Sequence, residues 1–243
     1  MTRCGTVGWL AVICFTVSLA GCVHTGAGFV PAEGDLLFQD LDSSPLCDAI
    51  EDVTSGVNGA GLCHVGIATL QYRGGPQVIE AYGAAVAARP LAEFLARSKD
   101  NAGRPKVIVG RLKEPYRSLV PAAVRRARKL LGTPYDQFFL PDNGRLYCSE
   151  LVWECFRDSA GRPLFDLTPM TFKPPGSGEP MKVWKDYYAK LGVPIPEGVP
   201  GCNPGGLSSS DRIDIVHAYG RPRGWTNETW RRMDRLAAGE PRP

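Results

Sequence analysis

The 243-residue chain predicts an α+β domain in which an antiparallel sheet packs against helices. Two β-rich segments, 64–70 and 77–82, flank the turn residues Gly74-Gly75-Pro76 and read as an antiparallel hairpin. Apolar residues recur at helical spacing over 119–131, from Cys148 onward and over 180–191. No internal repeat or long low-complexity linker divides the chain, and its length suits one domain with a substantial core.

The first residues combine Arg3 with an apolar run from Val7 to Ala20, a secretory signal pattern too short for a membrane span. The run ends in Leu19-Ala20-Gly21-Cys22, which resembles the lipobox of bacterial lipoproteins. That resemblance implies loss of residues 1–21, lipidation of Cys22 and a tether over 22–33. Val23 carries no inner-membrane retention signal, so the expected site is the outer membrane, facing the periplasm. An ordinary signal peptide with an incidental Cys22 is the alternative.

A domain over 34–223 follows. Gly34-Asp35 is a turn leading into a strand at Leu36-Leu37-Phe38, and residues 46–54 form a short helix with Leu46, Ile50 and Val53 on one side. Gly59-Ala60-Gly61 turns the chain into the hairpin. Residues 90–98 read as helix and 106–112 as strand. The helix over 119–131 stops at Gly132, with Pro134 beyond it. Past the Cys148 helix, residues 194–206 read as an ordered or semi-ordered surface loop. Residues 224–243 read as a peripheral tail with a short helix after Asn227.

Loss of Arg3, the one charged residue in 1–21, lowers the formal net charge from +3 to +2, a balance with no nucleic-acid signature. Arg125, Arg126, Arg128 and Lys129 read as the solvated face of a helix, with contact to anionic lipid as the alternative. Five cysteines remain besides Cys22: Cys47, Cys63, Cys148, Cys155 and Cys202. An odd set in an oxidising compartment leaves at least one thiol free. Cys47–Cys63 and Cys155–Cys202 are conceivable pairs that would leave Cys148 free. Cys148 and Cys155 on one helix lie about 10 Å apart, too far for a disulfide.

Cys148 is the candidate nucleophile. It opens a helix that places Leu151, Val152, Cys155 and Phe156 on one face, and a helix N-terminus favours a thiolate. A buried structural cysteine is the competing reading. The chain has three histidines. His24 falls in the tether, and His217 follows an alternating run that suggests a structural role. His64 starts a strand just after a glycine turn, where a base is well presented, and a strand-end histidine bonded to backbone is the competing reading. On the partner strand, Glu80 shares a face with Val78 and needs a partner in those apolar surroundings. One reading has it accept the Nδ1 proton of His64, and the alternative is an exposed strand glutamate.

The ordered set Gly34-Asp35-Leu36, His64-Val65-Gly66-Ile67, Val78-Ile79-Glu80-Ala81, Gly132-Thr133-Pro134-Tyr135-Asp136 and Tyr147-Cys148-Ser149-Glu150-Leu151-Val152 resembles the circularly permuted papain-like family. This is the YiiX/YaeF-like branch of the NlpC-type cysteine peptidase superfamily. The resemblance covers residues 30 to 220 and implies a permuted papain-like fold in which the nucleophile helix follows the histidine strand. It implies Cys148 as nucleophile, His64 as base and Glu80 as the residue orienting it. Tyr135 matches a family tyrosine near the active site, and its hydroxyl or the Cys148 N–H would stabilise an oxyanion. Asp35 belongs to a structural turn. Relatives often carry serine where this chain has Cys63. The spacing of Cys63, His64 and Cys148 fits no common zinc pattern, and no metal or other cofactor is expected. The segment 137–144 starts apolar and is placed to line a groove.

The expected activity is that of an envelope cysteine hydrolase. It would cleave an amide bond through a thioacyl intermediate, with peptidoglycan stem peptides as the substrate by family analogy. Two other readings stay open: a lipid acyl hydrolase or acyltransferase, and a non-catalytic lipoprotein that binds a lipid or peptide in the same cleft.

Overall fold

The computed structural model describes Met1 and residues 29–42, 44–70 and 74–226. The signal segment, Cys22 and the expected tail helix lie outside the described residues. The main sheet has six strands: β1 (Leu36–Gln39), β2 (His64–Thr69), β3 (Gln77–Tyr82), β4 (Ala85–Pro90), β5 (Val107–Leu112) and β8 (Ile213–Ala218). Their spatial order is β4-β3-β2-β1-β5-β8, and every pairing is antiparallel.

Strand alternation divides the core. Leu36, Phe38, Val65, Ile67, Ile79 and Ile108 face α3 (Val120–Lys129) and α4 (Cys148–Cys155). Leu37, Ala68, Val78, Val107 and Val109 face Phe94 of α2 (Leu91–Ala96). Each fully buried aliphatic side chain contributes about 1.5–3 kcal/mol. A third, mainly aromatic cluster of Ala49, Phe172, Trp184 and Tyr188 joins α1 (Pro45–Val53) to α5 (Lys182–Leu191).

Local signals place these elements. Ser44 Oγ accepts from Cys47 N at the start of α1, with Pro45 in its first turn. Gly192 ends α5 in the left-handed conformation. Gly34 has φ +77°, and a Cβ there would meet Val120 Cγ1 at 2.4 Å, so this glycine lets α3 close onto the sheet. Asp35 accepts from Ala32 N and pairs with Arg111, the structural role expected of it.

The structure corrects several expectations. The segment before α2 is a strand, β4, whose alanine-rich sequence carries little alternation. Residues 194–206 are not a plain surface loop. They hold β7 (Pro200–Gly201), which pairs with β6 (Thr168–Pro169), and the start of α6 (Pro204–Ser208), with Gly201, Cys202, Pro204 and Gly205 buried. The basic cluster is only partly solvated. Arg126 donates to the Cys155 and Arg157 carbonyls, and Arg128 donates to Thr69 Oγ1 and pairs with Glu33. Cys47 and Cys63 form a disulfide, whereas Cys155 and Cys202 are free and buried. Cys202 bonds residues at the start of α4 and Cys155 ends that helix, so the two thiols sit at opposite ends. Packing also extends past both ends of 34–223: Phe29 stacks on His217, and Trp225 is buried in the core.

Candidate active site

Cys148 occupies the first turn of α4, with Tyr147 as the preceding cap residue. Glu150 Oε2 accepts from Tyr147 N at 3.4 Å and so ties down the helix start. Burial pushes the Glu150 carboxyl up to about 8. The residues flanking Cys148 grip the 200–204 segment: Ser149 Oγ donates to Cys202 O at 3.0 Å, and Tyr147 Oη accepts from Cys202 N at 3.2 Å. The Cys148 thiol lies 4.0 Å from the carbonyl oxygen of Cys63. Cys148 and His64 therefore meet at the first residue of β2, although α4 covers one face of the sheet and His64 projects from the other.

The β2–β3 register explains the partner of His64. Ile67 pairs with Ile79 and Ala68 with Val78, so continuing the ladder sets Glu80 opposite Gly66, one diagonal step from His64. A Cβ on Gly66 would meet Val78 Cγ1 at 2.3 Å and Glu80 Cβ at 3.3 Å. The glycine leaves room for the carboxylate to lean along the strand. Glu80 Oε2 and His64 Nε2 are 2.6 Å apart, and both side chains are buried. The sequence suggested Nδ1 as the bonded atom. The diagonal approach brings the carboxylate to the far nitrogen instead, which leaves Nδ1 for the thiol.

Two arginines surround the carboxylate, and the sequence reading named neither. Arg97 reaches both oxygens, at 2.7 Å from Nη1 to Oε2 and through Nη2 to Oε1. Arg89 Nε approaches Oε1 at 3.3 Å as an ion pair, without hydrogen-bond geometry. The available signal was Glu80 itself, because a carboxylate inside Val78-Ile79-Glu80-Ala81 demands a cation. Burial opposes ionisation of Glu80, but the bonds from Arg97 and His64 outweigh it and hold the carboxyl below its ordinary value. Burial likewise opposes the His64 proton. Interaction with Cys148 and the bond to Glu80 outweigh that burial, and His64 is raised to about 9. Burial pushes the other two free thiols, Cys155 and Cys202, up to about 12, which keeps them protonated.

Cys148 opens into a cleft of about 260 Å³. Tyr135, Phe139, Met170, Phe172, Trp184 and Pro204 are among its walls, and no charged side chain lines it among the described residues. Phe139 fulfils the expectation that 137–144 lines a groove. Asp136 accepts from Phe138 N and Leu140 N and holds Phe139 at φ +55° between Tyr147 and Trp184. Tyr135 is half-buried, and burial, then the nearby Cys148, raises its hydroxyl well above the ordinary 10.0, so it remains an O–H donor. His217 stacks on Phe29 and meets Tyr219 edge-to-face at the sheet edge, the structural role read for it.

The family model described as "Permuted papain-like amidase enzyme, YaeF/YiiX, C92 family" matches residues 30–217. An uncharacterised protein, YiiX of Escherichia coli strain K12, is 26% identical over 169 residues, covering 70% of this chain and 78% of its own length. A crystal structure described as the metalloprotein yiiX of Escherichia coli O157:H7 superposes with a TM-score of 0.64 at 23% identity, covering 79% of this chain and 99% of the other. In this chain, the described residues whose ligand atoms cluster in a triplet are Cys47, Glu51 and Cys63, within 4.8 Å of one another, and their two thiols are joined in the disulfide. The extent of the family match and the shared fold establish that this chain belongs to the permuted papain-like amidase family, as a cysteine peptidase- or amidase-type hydrolase.

Proposed function

We propose that this hydrolase cleaves an amide bond whose acyl side is uncharged and apolar, through a Cys148–His64–Glu80 triad. The cleft beside Cys148, free of charged side chains among the described residues, carries this reading. Peptidoglycan stem peptides bear carboxylates, and a buried carboxylate without a cation is costly. An acyl lipid or another N-acyl amide suits the walls better.

His64 takes the Cys148 thiol proton at Nδ1, while its Nε2–H donates to the Glu80 carboxylate. The sulfur attacks the acyl carbon. The resulting oxyanion accepts from the Cys148 N–H at the start of α4 or from the Tyr135 hydroxyl. His64 gives its Nδ1 proton to the departing amine, leaving a thioester on Cys148. Water then attacks that thioester, with His64 taking its proton, and the acid and the thiol are released.

We also propose that lipidated Cys22 holds the domain at the periplasmic face of the outer membrane. Phe29 is fastened to the sheet edge by its stack on His217 and by the bond from Tyr219 Oη to its carbonyl. The seven residues from Cys22 to Phe29 reach at most about 25 Å, which keeps the Phe29 edge of the domain close to the membrane surface.

The test compares wild type with Cys148→Ala on N-acyl amides of graded chain length and on purified muropeptides, with products read by mass spectrometry. Cleavage of the N-acyl amides is expected, reduced by about 10⁴-fold or more in the alanine variant. Turnover of muropeptides alone would favour the stem-peptide reading. Wild-type turnover of neither by folded protein would favour a binding role, and equal turnover by both proteins would remove Cys148 as nucleophile.

A further inference from the structure

We propose that Arg97 is a positioning residue for the Cys148–His64 pair and acts through Glu80, fixing the orientation of the carboxylate and preserving its charge. This rests on the triad reading above. Arg97 follows α2 and lies behind Glu80, and it is not among the residues lining the cleft. Its guanidinium meets both carboxylate oxygens. Oε2 is shared, receiving Arg97 Nη1 at 2.7 Å and His64 Nε2 at 2.6 Å. The fork fixes the plane of the carboxylate, and that plane fixes the His64 ring.

The surroundings fix Arg97 in turn. Its guanidinium carbon lies 4.3 Å from the Tyr82 ring centroid and 5.2 Å from that of Phe94. Those two rings also flank His64, at 5.3 Å and 5.8 Å. One packed unit therefore contains the base, its carboxylate and the cation behind it. Glu80 is fully buried, and a lone carboxylate there would favour its neutral form. A neutral Glu80 no longer supports an imidazolium beside Cys148. Arg89 is the other cation near Glu80, but it is more exposed, lacks hydrogen-bond geometry and also pairs with Glu93. It does not replace the two-point grip of Arg97.

The readout is the pH dependence of Cys148 alkylation by iodoacetamide, which requires no knowledge of the substrate. Cys148→Ala gives the background from Cys155 and Cys202. Wild type is expected to show an acid limb set by the Cys148–His64 pair. In Arg97→Gln the acid limb should move up by roughly 1–3 pH units, with Arg97→Lys in between. In a Glu80→Gln background, Arg97→Gln should cause no further change, because the effect passes through that carboxylate. A folded Arg97→Gln protein with the wild-type limb would overturn the proposal, as would a further shift in the Glu80→Gln background. If Arg97→Gln does not fold, an Arg97→Lys profile identical to wild type in limb and maximal rate would overturn it. Wild type showing only an ordinary thiol profile would remove the Cys148–His64 pair, and the proposal with it.

Discussion

At the scale of single residues, His64 is the pivot between two environments. Its Nε2 faces a buried carboxylate, and the thiol supports the rest of the ring. Tyr135 is a hydroxyl kept protonated at the wall of the same cleft. If that hydroxyl binds the oxyanion, Tyr135→Phe should lower kcat for the amide about 10²-fold and leave KM nearly unchanged. An unaltered kcat would assign the oxyanion to the backbone N–H alone. Cys148, His64 and Glu80 were legible as types in sequence because each is a chemically costly residue at a telling place: a helix start, a strand end and an apolar strand. Which nitrogen Glu80 bonds was not legible, since that depends on strand register. Arg97 was not legible either, because an arginine at the end of a short helix looks solvated until tertiary packing places a buried carboxylate beside it.

At the scale of elements, the hairpin, the α3 stop and the Cys148 helix followed from turn residues and periodicity, and the structure keeps them within a few residues. The missed element, β4, is an edge strand whose alanines give weak contrast between faces. The 194–206 segment misled for a different reason. Its prolines and glycines signal turns, yet Ser149 and Tyr147 clamp its backbone against α4 and make it a wall of the cleft. The Cys47–Cys63 disulfide joins α1, which supplies Ile50 and Val53 to the cleft, to the residue before the base.

At the scale of the whole molecule, the cleft and the charge network favour different chemistry. The cleft carries no charged side chain among the described residues, whereas buried ionisable groups lie just outside it. Folding raises Glu51 from 4.5 to about 7, Glu150 from 4.5 to about 8 and His64 from 6.5 to about 9. The folded state therefore binds more protons than the unfolded chain between pH 4.5 and 9, and stability should fall as pH rises through that window. Glu80, held low, acts in the opposite sense and withdraws stability only as pH falls below the ordinary carboxylate range. Urea midpoints should decline steadily from pH 5 to pH 9, and a midpoint that rises over this range would contradict the assigned burial of these groups. The proposed reaction passes through a thioacyl intermediate on Cys148. The most direct measurement is intact-mass and peptide-mapping mass spectrometry of wild type quenched in acid during turnover of an N-acyl amide. An added acyl mass on the peptide containing Cys148, absent from Cys148→Ala and slow to form in His64→Ala, is the expected result. Turnover that leaves Cys148 unmodified and continues undiminished in Cys148→Ala would contradict the account.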